Sequence, residues 1–339
     1  MVIVMFLILL GIISYISVGM YRSYAIEKDI LDHPNKRSSH IMPVPLGGGV
    51  VFPVLWIAFL MVLYFIGFIE LLYLSVFLPP IFLIGLISFL DDKYQLAARF
   101  RFLAQLAAAI YSLFIVSGFP ELDLGIMTIH WGWFGYIFMV FVLLWSTNLY
   151  NFMDGIDGIA AVQALFVFGF GGYFVWCAGG SELAIIIWSM ASIVFGFLLW
   201  NRPPAKIFMG DTGSTLLGFL VVLFAIIGEK KYNVPVLLWV ILYGVFWFDA
   251  SVTLIRRLIN GDKWYQAHRL HAYQRLQLQK WSHGKILLRV VALNAILVFF
   301  SFWAFYFPQH MLLALVGVII ILAISYVIVE KMQPMYGVI

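Results

Sequence analysis

The chain is 339 residues long, 64% hydrophobic and 11% charged, with a formal charge of +4 and a mean hydropathy of +1.03. This composition excludes a soluble globular domain and predicts an all-α polytopic integral membrane protein. The single Cys177 excludes an intramolecular disulfide. The basic balance is accounted for by loops that orient the chain and meet anionic lipid, so no nucleic-acid partner is expected.

A helix needs about 20 mostly apolar residues to cross a bilayer. Eleven stretches qualify, approximately 2–20, 44–66, 70–90, 99–118, 134–150, 159–178, 182–200, 212–228, 234–255, 286–307 and 310–330. The first has no basic residues before it and no small-x-small cleavage pattern after it, so a retained helix is expected. Loops following the odd-numbered spans, with their helix ends, hold 18 of the 20 Lys and Arg, leaving Lys230 and Lys231 opposite. By the positive-inside rule those loops are cytoplasmic, the N-terminus is outside, and the lipid bilayer is the first partner. Glu70, Glu121, Asp123, Glu182 and Glu229 fall in short outer loops and read as solvated caps. With no linker, low-complexity segment or obvious inverted repeat, residues 1–339 read as one domain.

Chemistry-bearing residues gather in the cytoplasmic loops. Asp32-His-Pro-Asn-Lys36-Arg37-Ser-Ser-His40 precedes Gly47-Gly48-Gly49, placing polar side chains before a backbone that can pack closely. Asp91 and Asp92 repel each other at a helix end and call for a cation or a basic partner, with a solvated, salt-bridged terminus as the simpler reading. Asn148, Asn151, Asp154 and Asp157 recur every three residues, which would put each pair on one face of a helical turn. Their oxygens are hard ligands of the kind Mg²⁺ accepts, although Asn, Asp and Gly also simply make turns. Phe208-Met-Gly-Asp211-Thr-Gly-Ser214 leads into the next span; no Lys follows to make a Walker loop, and Thr212 or Ser214 also suits a helix cap. His268-Arg269-Leu-His271 lies in the longest and most basic loop, where a diphosphate clamp fits better than a zinc site. Asp249, several residues inside the ninth span, needs a partner, for which Arg256 or Arg257 is expected.

Taken in order from about residue 32 to 275, these blocks resemble the polyprenyl-phosphate N-acetylhexosamine-1-phosphate transferase family. The resemblance implies Asn151 and Asp211 as ligands of Mg²⁺, with Mn²⁺ as a substitute, and Asp91 and Asp92 handling the polyprenyl phosphate, one of them as base. It implies Asn201, Phe208 and Asp157 around the uridine, with Asp154 also in the substrate site, and His268, Arg269 and His271 on the sugar diphosphate. Lys36, Arg37 and His40 would contribute from the first cytoplasmic loop.

The implied partners are a UDP-N-acetyl sugar and undecaprenyl phosphate, at the cytoplasmic face of a bacterial inner membrane; a homodimer is compatible with the resemblance. The last loop departs from the three-histidine run of the cell-wall translocase. That departure argues against a muramyl-pentapeptide donor and for the branch that starts O-antigen or other surface polysaccharides. Chemically, a lipid phosphate would attack the β-phosphorus of the UDP-sugar and expel UMP, directly or through an aspartyl-phosphate. The rival reading is a lipid-linked sugar transporter or flippase, whose site would be expected near the midplane between repeated halves.

Overall fold

The computed structural model describes residues 2–34, 42–118, 122–263 and 268–336. Lys36, Arg37, His40 and Glu121 lie outside them. Helix α1 (Val2–Glu27) is followed by a two-residue pairing of β1 (Leu31–Asp32) with β2 (Val44–Pro45). The bundle continues with α2 (Val51–Phe65), α3 (Leu71–Tyr94) and α4 (Ala98–Ile115). A second short pairing, β3 (Leu122–Asp123) with β4 (Thr128–Ile129), precedes α5 (Gly132–Met153), α6 (Ile159–Cys177), α7 (Ser181–Asn201) and α8 (Asp211–Tyr232). The chain finishes with α9 (Val236–Leu242), α10 (Gly244–Ile259), α11 (Ala272–Leu278), α12 (His283–Tyr306) and α13 (Met311–Met332).

Among the described residues ten helices are long and apolar enough to span a membrane, and α9 with α10 makes an eleventh span bent by 78°. The expected number therefore holds, with the ninth span broken rather than straight. The cause is local: α9 ends at Leu242, and Trp247 turns its indole N–H back onto the Val240 carbonyl at 2.8 Å across the break.

Helix α8 is the axis of the bundle. Every residue from Thr212 to Glu229 is buried, so its all-round apolarity reflects protein neighbours on all sides, whereas α1 turns much of its surface outward to lipid. Small residues let neighbouring helices close without a hydrophobic driving force. Gly196 of α7 lies so near α1 that an added Cβ would stand 2.5 Å from the Gly11 carbonyl, and Ser14 of α1 donates to the Ile193 carbonyl at 2.6 Å. At the entry to α2, a Cβ on Gly49 would meet Gly213 backbone at 2.5 Å, which locks the first loop onto the start of α8.

Several expectations require correction. Glu229 is not a solvated cap: it is 7% exposed and accepts the backbone N–H groups of Asp123 and Val236 at 3.2 and 2.8 Å. The partner of Asp249 is neither Arg256 nor Arg257. Asp249 accepts the Ala272 N–H with both oxygens at 2.9 Å and faces His271 Nδ1 at 3.6 Å, while Arg256 is taken by Glu330 and Arg257 by Asp262. Helices α3 and α5 run past their predicted ends at 90 and 150, so Asp91, Asp92 and Asn151 belong to helix rather than loop.

Candidate active site

One end of the bundle collects nearly all the chemistry. At the end of α3, Asp91 accepts Arg101 Nη1 at 2.6 Å; Arg101 sits in the first turn of α4 and also reaches Asp211 Oδ2 at 3.2 Å. Asp211 is the first residue of α8, and its Oδ1 accepts the Asn151 amide from the last turn of α5 at 2.8 Å. Four helix ends thus meet through two carboxylates, one guanidinium and one amide.

Asp92 does a different job. Its Oδ1 accepts the Asp211 N–H at 2.9 Å, and its Oδ2 accepts the Thr212 N–H at 3.2 Å and the Thr212 hydroxyl at 2.8 Å. A carboxylate from α3 therefore caps α8 and meets the positive end of its dipole. Neither Thr212 nor Ser214 supplies that cap. The chain enters α8 through Gly210 at φ +77°, and a Cβ there would lie 3.0 Å from Asp92 Oδ2, so the capping contact needs glycine.

The expected pairing of polar residues along 148–157 holds only in part. Asn148 turns away to Gln105 of α4 at 2.8 Å while Asn151 faces Asp211. Asp154 lies just past α5, outside any helical turn, partly open to the surface yet ringed by protein on its other sides. Burial, and then the charges of Asp211, Asp157 and Asp92, push its carboxyl up to about 7. Asp157 instead accepts the Ala205 N–H at 3.0 Å and faces His283 Nδ1 at 3.1 Å.

Asn201 is 3% exposed, with both ends of its amide engaged: Oδ1 accepts the Gly158 N–H at 2.9 Å and Nδ2 donates to the Ile207 carbonyl at 2.8 Å. It clips the 202–210 loop to the start of α6. Phe208 is half-buried, and its backbone pairs with the first loop, accepting from Gly48 at 2.9 Å and donating to Pro45 at 2.8 Å.

The histidine loop comes to the same end. Tyr273 donates to the Phe152 carbonyl at 3.0 Å, and a Cβ on Gly155 would collide with its hydroxyl, so α11 packs directly on the end of α5. His271 is buried between Asp249 and the Tyr273 ring, which it stacks at 5.9 Å. His268 accepts the Leu270 N–H at 3.3 Å, and burial with the charges of His271 and Arg257 holds its imidazole down to about 4. It is therefore a neutral hydrogen-bonding group near pH 7, not a cation. Arg269 donates to Gln277 at 3.0 Å.

Sequence reading did not single out Arg101, Gln277 or His283. Arg101 was legible only as a basic neighbour of the Asp91-Asp92 pair; the last two stand outside every motif. Among the described residues no group of three His, Cys, Asp or Glu forms a ready metal cage. Mg²⁺ needs only one or two protein carboxylates and keeps several waters, so the oxygens of Asp211 and Asn151 are a suitable set. After burial, the charges of Asp211, Asp157 and Asp92 raise Asp154, and a cation there would relieve that second part.

The profile of glycosyl transferase family 4 matches residues 73–229, the stretch containing Asp91, Asp92, Asn151, Asp154, Asp157 and Asp211. The chain is 32% identical over 268 residues to a probable undecaprenyl-phosphate N-acetylglucosaminyl 1-phosphate transferase of Bacillus subtilis, covering 76% of this chain and 73% of that protein. It is 33% identical over 222 residues to a phospho-N-acetylmuramoyl-pentapeptide-transferase of a Geobacillus species, covering 60% and 65% of the two chains. The similarity to the enzyme of that name from Listeria monocytogenes is 26% over 300 residues, spanning 82% of this chain and 90% of the other. With the motifs, the helical bundle and these relatives in agreement, the chain belongs to glycosyl transferase family 4, among the polyprenyl-phosphate hexosamine-1-phosphate transferases.

Proposed function

We propose that the protein transfers an N-acetylhexosamine-1-phosphate group from a UDP-sugar to undecaprenyl phosphate, releasing UMP, at the cytoplasmic face of a bacterial inner membrane. The observation that carries this reading is the meeting of Asp91, Asp211, Asn151 and Arg101 where four helices end. A lipid phosphate held at headgroup depth and a water-soluble donor can both reach such a place. The excess of Lys and Arg on that side supports the cytoplasmic orientation.

An apolar cavity of about 250 Å³ supports a prenyl acceptor. It lies within the membrane between α5, α8 and the broken α9–α10 span, lined by residues such as Met139, Trp145, Val222, Trp239 and Trp247. Isoprene units would be at home there.

Asp211 and Asn151 would hold Mg²⁺, or Mn²⁺, which when bound offsets the donor's diphosphate charge. The remaining roles fall to the chain itself. Arg101, already shared by Asp91 and Asp211, offers a guanidinium to an arriving phosphate. Asp92 is committed to α8, so Asp91 is better placed to take a proton from the acceptor phosphate. The acceptor oxygen bonds to the β-phosphorus as the bond to UMP breaks in line. Arg269 and His271 steady the charge on departing UMP, and Phe208 offers a stacking face to the base.

The His268-Arg269-Leu270-His271 segment, without a three-histidine run, favours an N-acetylhexosamine over a muramyl-pentapeptide donor. The lipid-linked product would begin a surface polysaccharide, O-antigen included. Purified protein supplied with undecaprenyl phosphate and a panel of UDP-sugars tests this. UMP release that requires both the lipid and Mg²⁺ is expected with UDP-N-acetylhexosamines and not with the UDP-muramyl-pentapeptide. Binding of a lipid-linked sugar with no UMP from any donor would favour the transporter and overturn the assignment.

A further inference from the structure

Arg269 does not stand alone. Its Nη2 donates to Gln277 Oε1 at 3.0 Å, Gln277 Nε2 lies 3.0 Å from His283 Nε2, and His283 Nδ1 lies 3.1 Å from Asp157 Oδ2, which also accepts the Ala205 N–H at 3.0 Å. Four side chains link the histidine loop, the start of α12, the loop after α5 and the loop after α7.

Both ends of this chain fix its direction. Arginine can only donate, so Gln277 must show it the amide oxygen and turn its NH₂ toward His283. His283 Nε2 must then accept, and its proton sits on Nδ1, where the Asp157 carboxylate receives it. The Asp157 N–H also approaches Nδ1, at 3.5 Å, but the closer carboxylate decides the tautomer. One arrangement of protons satisfies every member.

We propose that His283 is a positioning residue that, through Gln277, holds Arg269 in the orientation needed to grip the diphosphate of a nucleoside-diphosphate sugar. The proposal rests on the transferase reading and on Arg269 as a clamp.

Asp157 is the charged group in contact with the ring. The loop after α7 presents the Ala205 N–H, Arg269 stands one amide beyond α11, and Lys285 on α12 is turned onto the Trp281 ring at 3.9 Å. His283 is 16% exposed at its side chain, so the ring is held mostly by protein.

The test is a double-mutant cycle on kcat for UMP release, read with the tautomer of His283. His283→Ala is expected to lower kcat roughly tenfold, about the effect of one misplaced charge-assisted hydrogen bond. The same substitution in an Arg269→Ala background should cause no further loss, whereas a merely structural role would give additive losses. His283→Asn can keep the Asp157 contact and the fold but should share the kcat defect. Gln277→Glu accepts from Arg269 whatever stands at 283, so it should restore kcat in His283→Ala. Nitrogen NMR of labelled protein should show His283 as the Nδ1–H tautomer; an Nε2–H ring overturns the relay. A kcat loss in Arg269→Ala without one in His283→Ala overturns the relay and leaves the clamp standing. Normal kcat in Arg269→Ala overturns the clamp, and with it this role of His283.

Discussion

Asp154→Asn should make the protein more stable and less active, by an amount that depends on pH. An ordinary Asp titrates near 3.8; in the folded protein burial, and then the charges of Asp211, Asp157 and Asp92, push Asp154 up to about 7. Below the lower value both folded and unfolded chains hold the proton, and no penalty exists. Between the two, the unfolded chain gives up its proton while the folded chain keeps it, so stability falls as pH rises. Above about 7 the loss is complete, with a ceiling of about 4 kcal/mol at 1.36 kcal/mol for each unit between the two values. Asp211, Asp157 and Asp92 share that repulsion, so a measured value of about 2 kcal/mol would still agree. Asn resembles the protonated acid and carries no such penalty. Thermal unfolding in detergent from pH 4 to 8.5 should therefore show no difference near pH 4, a gap widening toward pH 7, and a plateau beyond. Mg²⁺ should narrow the plateau by stabilising the wild type more. A gap independent of pH, or an Asn variant less stable at pH 8, would refute the raised, buried carboxyl at this site.

Asp211→Asn should leave an inserted, folded protein that loses nearly all UMP release, since it removes a carboxylate from the proposed cation site; near-normal turnover at low Mg²⁺ would count against that site. Phe208→Ala should mainly raise KM for the UDP-sugar, because a stacking face serves the ground and transition states alike; an unchanged KM with a large fall in kcat would remove its nucleotide role. Asn201→Ala should instead lower Tm, because it leaves the Gly158 N–H and the Ile207 carbonyl without their partner at a cost of about 2–4 kcal/mol; a KM change at constant Tm would return Asn201 to the uridine pocket. Cysteines placed at 206 and 263 should resist impermeant labelling from outside in intact cells, and modification at either would overturn the cytoplasmic orientation.

Much of this architecture was readable before any coordinates. Apolar runs of spanning length and basic loops on alternate sides were enough to count the spans, because a bilayer leaves backbone polar groups few alternatives to helix. What escaped the sequence depends on contacts distant along the chain. Asn148 and Asn151 share a motif, but α4 takes one and α8 the other. Asp92 and Asp91 are adjacent, yet α8 uses the first as a cap and Arg101 claims the second. Asn201 reads as a polar residue ending a span, and only packing shows it buried with both amide ends engaged. The bend in the ninth span was invisible because its two halves are apolar across the break.

The long basic loop before α12 is held at more than its two ends. Residues 260–282 would be a poor platform if they were held only at their ends, since ordering a loop of this length works against chain entropy. Two carboxylates beneath it supply the missing anchors. Asp249, on the helix beyond the break, accepts the first N–H of α11 and faces His271. Glu330, near the end of α13, pairs with Arg256 and with the fully buried Arg275, tying α10, α11 and α13 together. The Arg269–Gln277–His283–Asp157 connection then fixes the outer side of the same loop. A carboxylate inside a membrane span is costly unless it is satisfied, and without the docked histidine loop Asp249 would keep the Thr253 hydroxyl but lose the Ala272 N–H and His271. The unfavourable position of that charge therefore becomes a restoring force on the loop. Asp249 acts in this way without touching a substrate, by keeping His271 and the start of α11 docked against the end of α5.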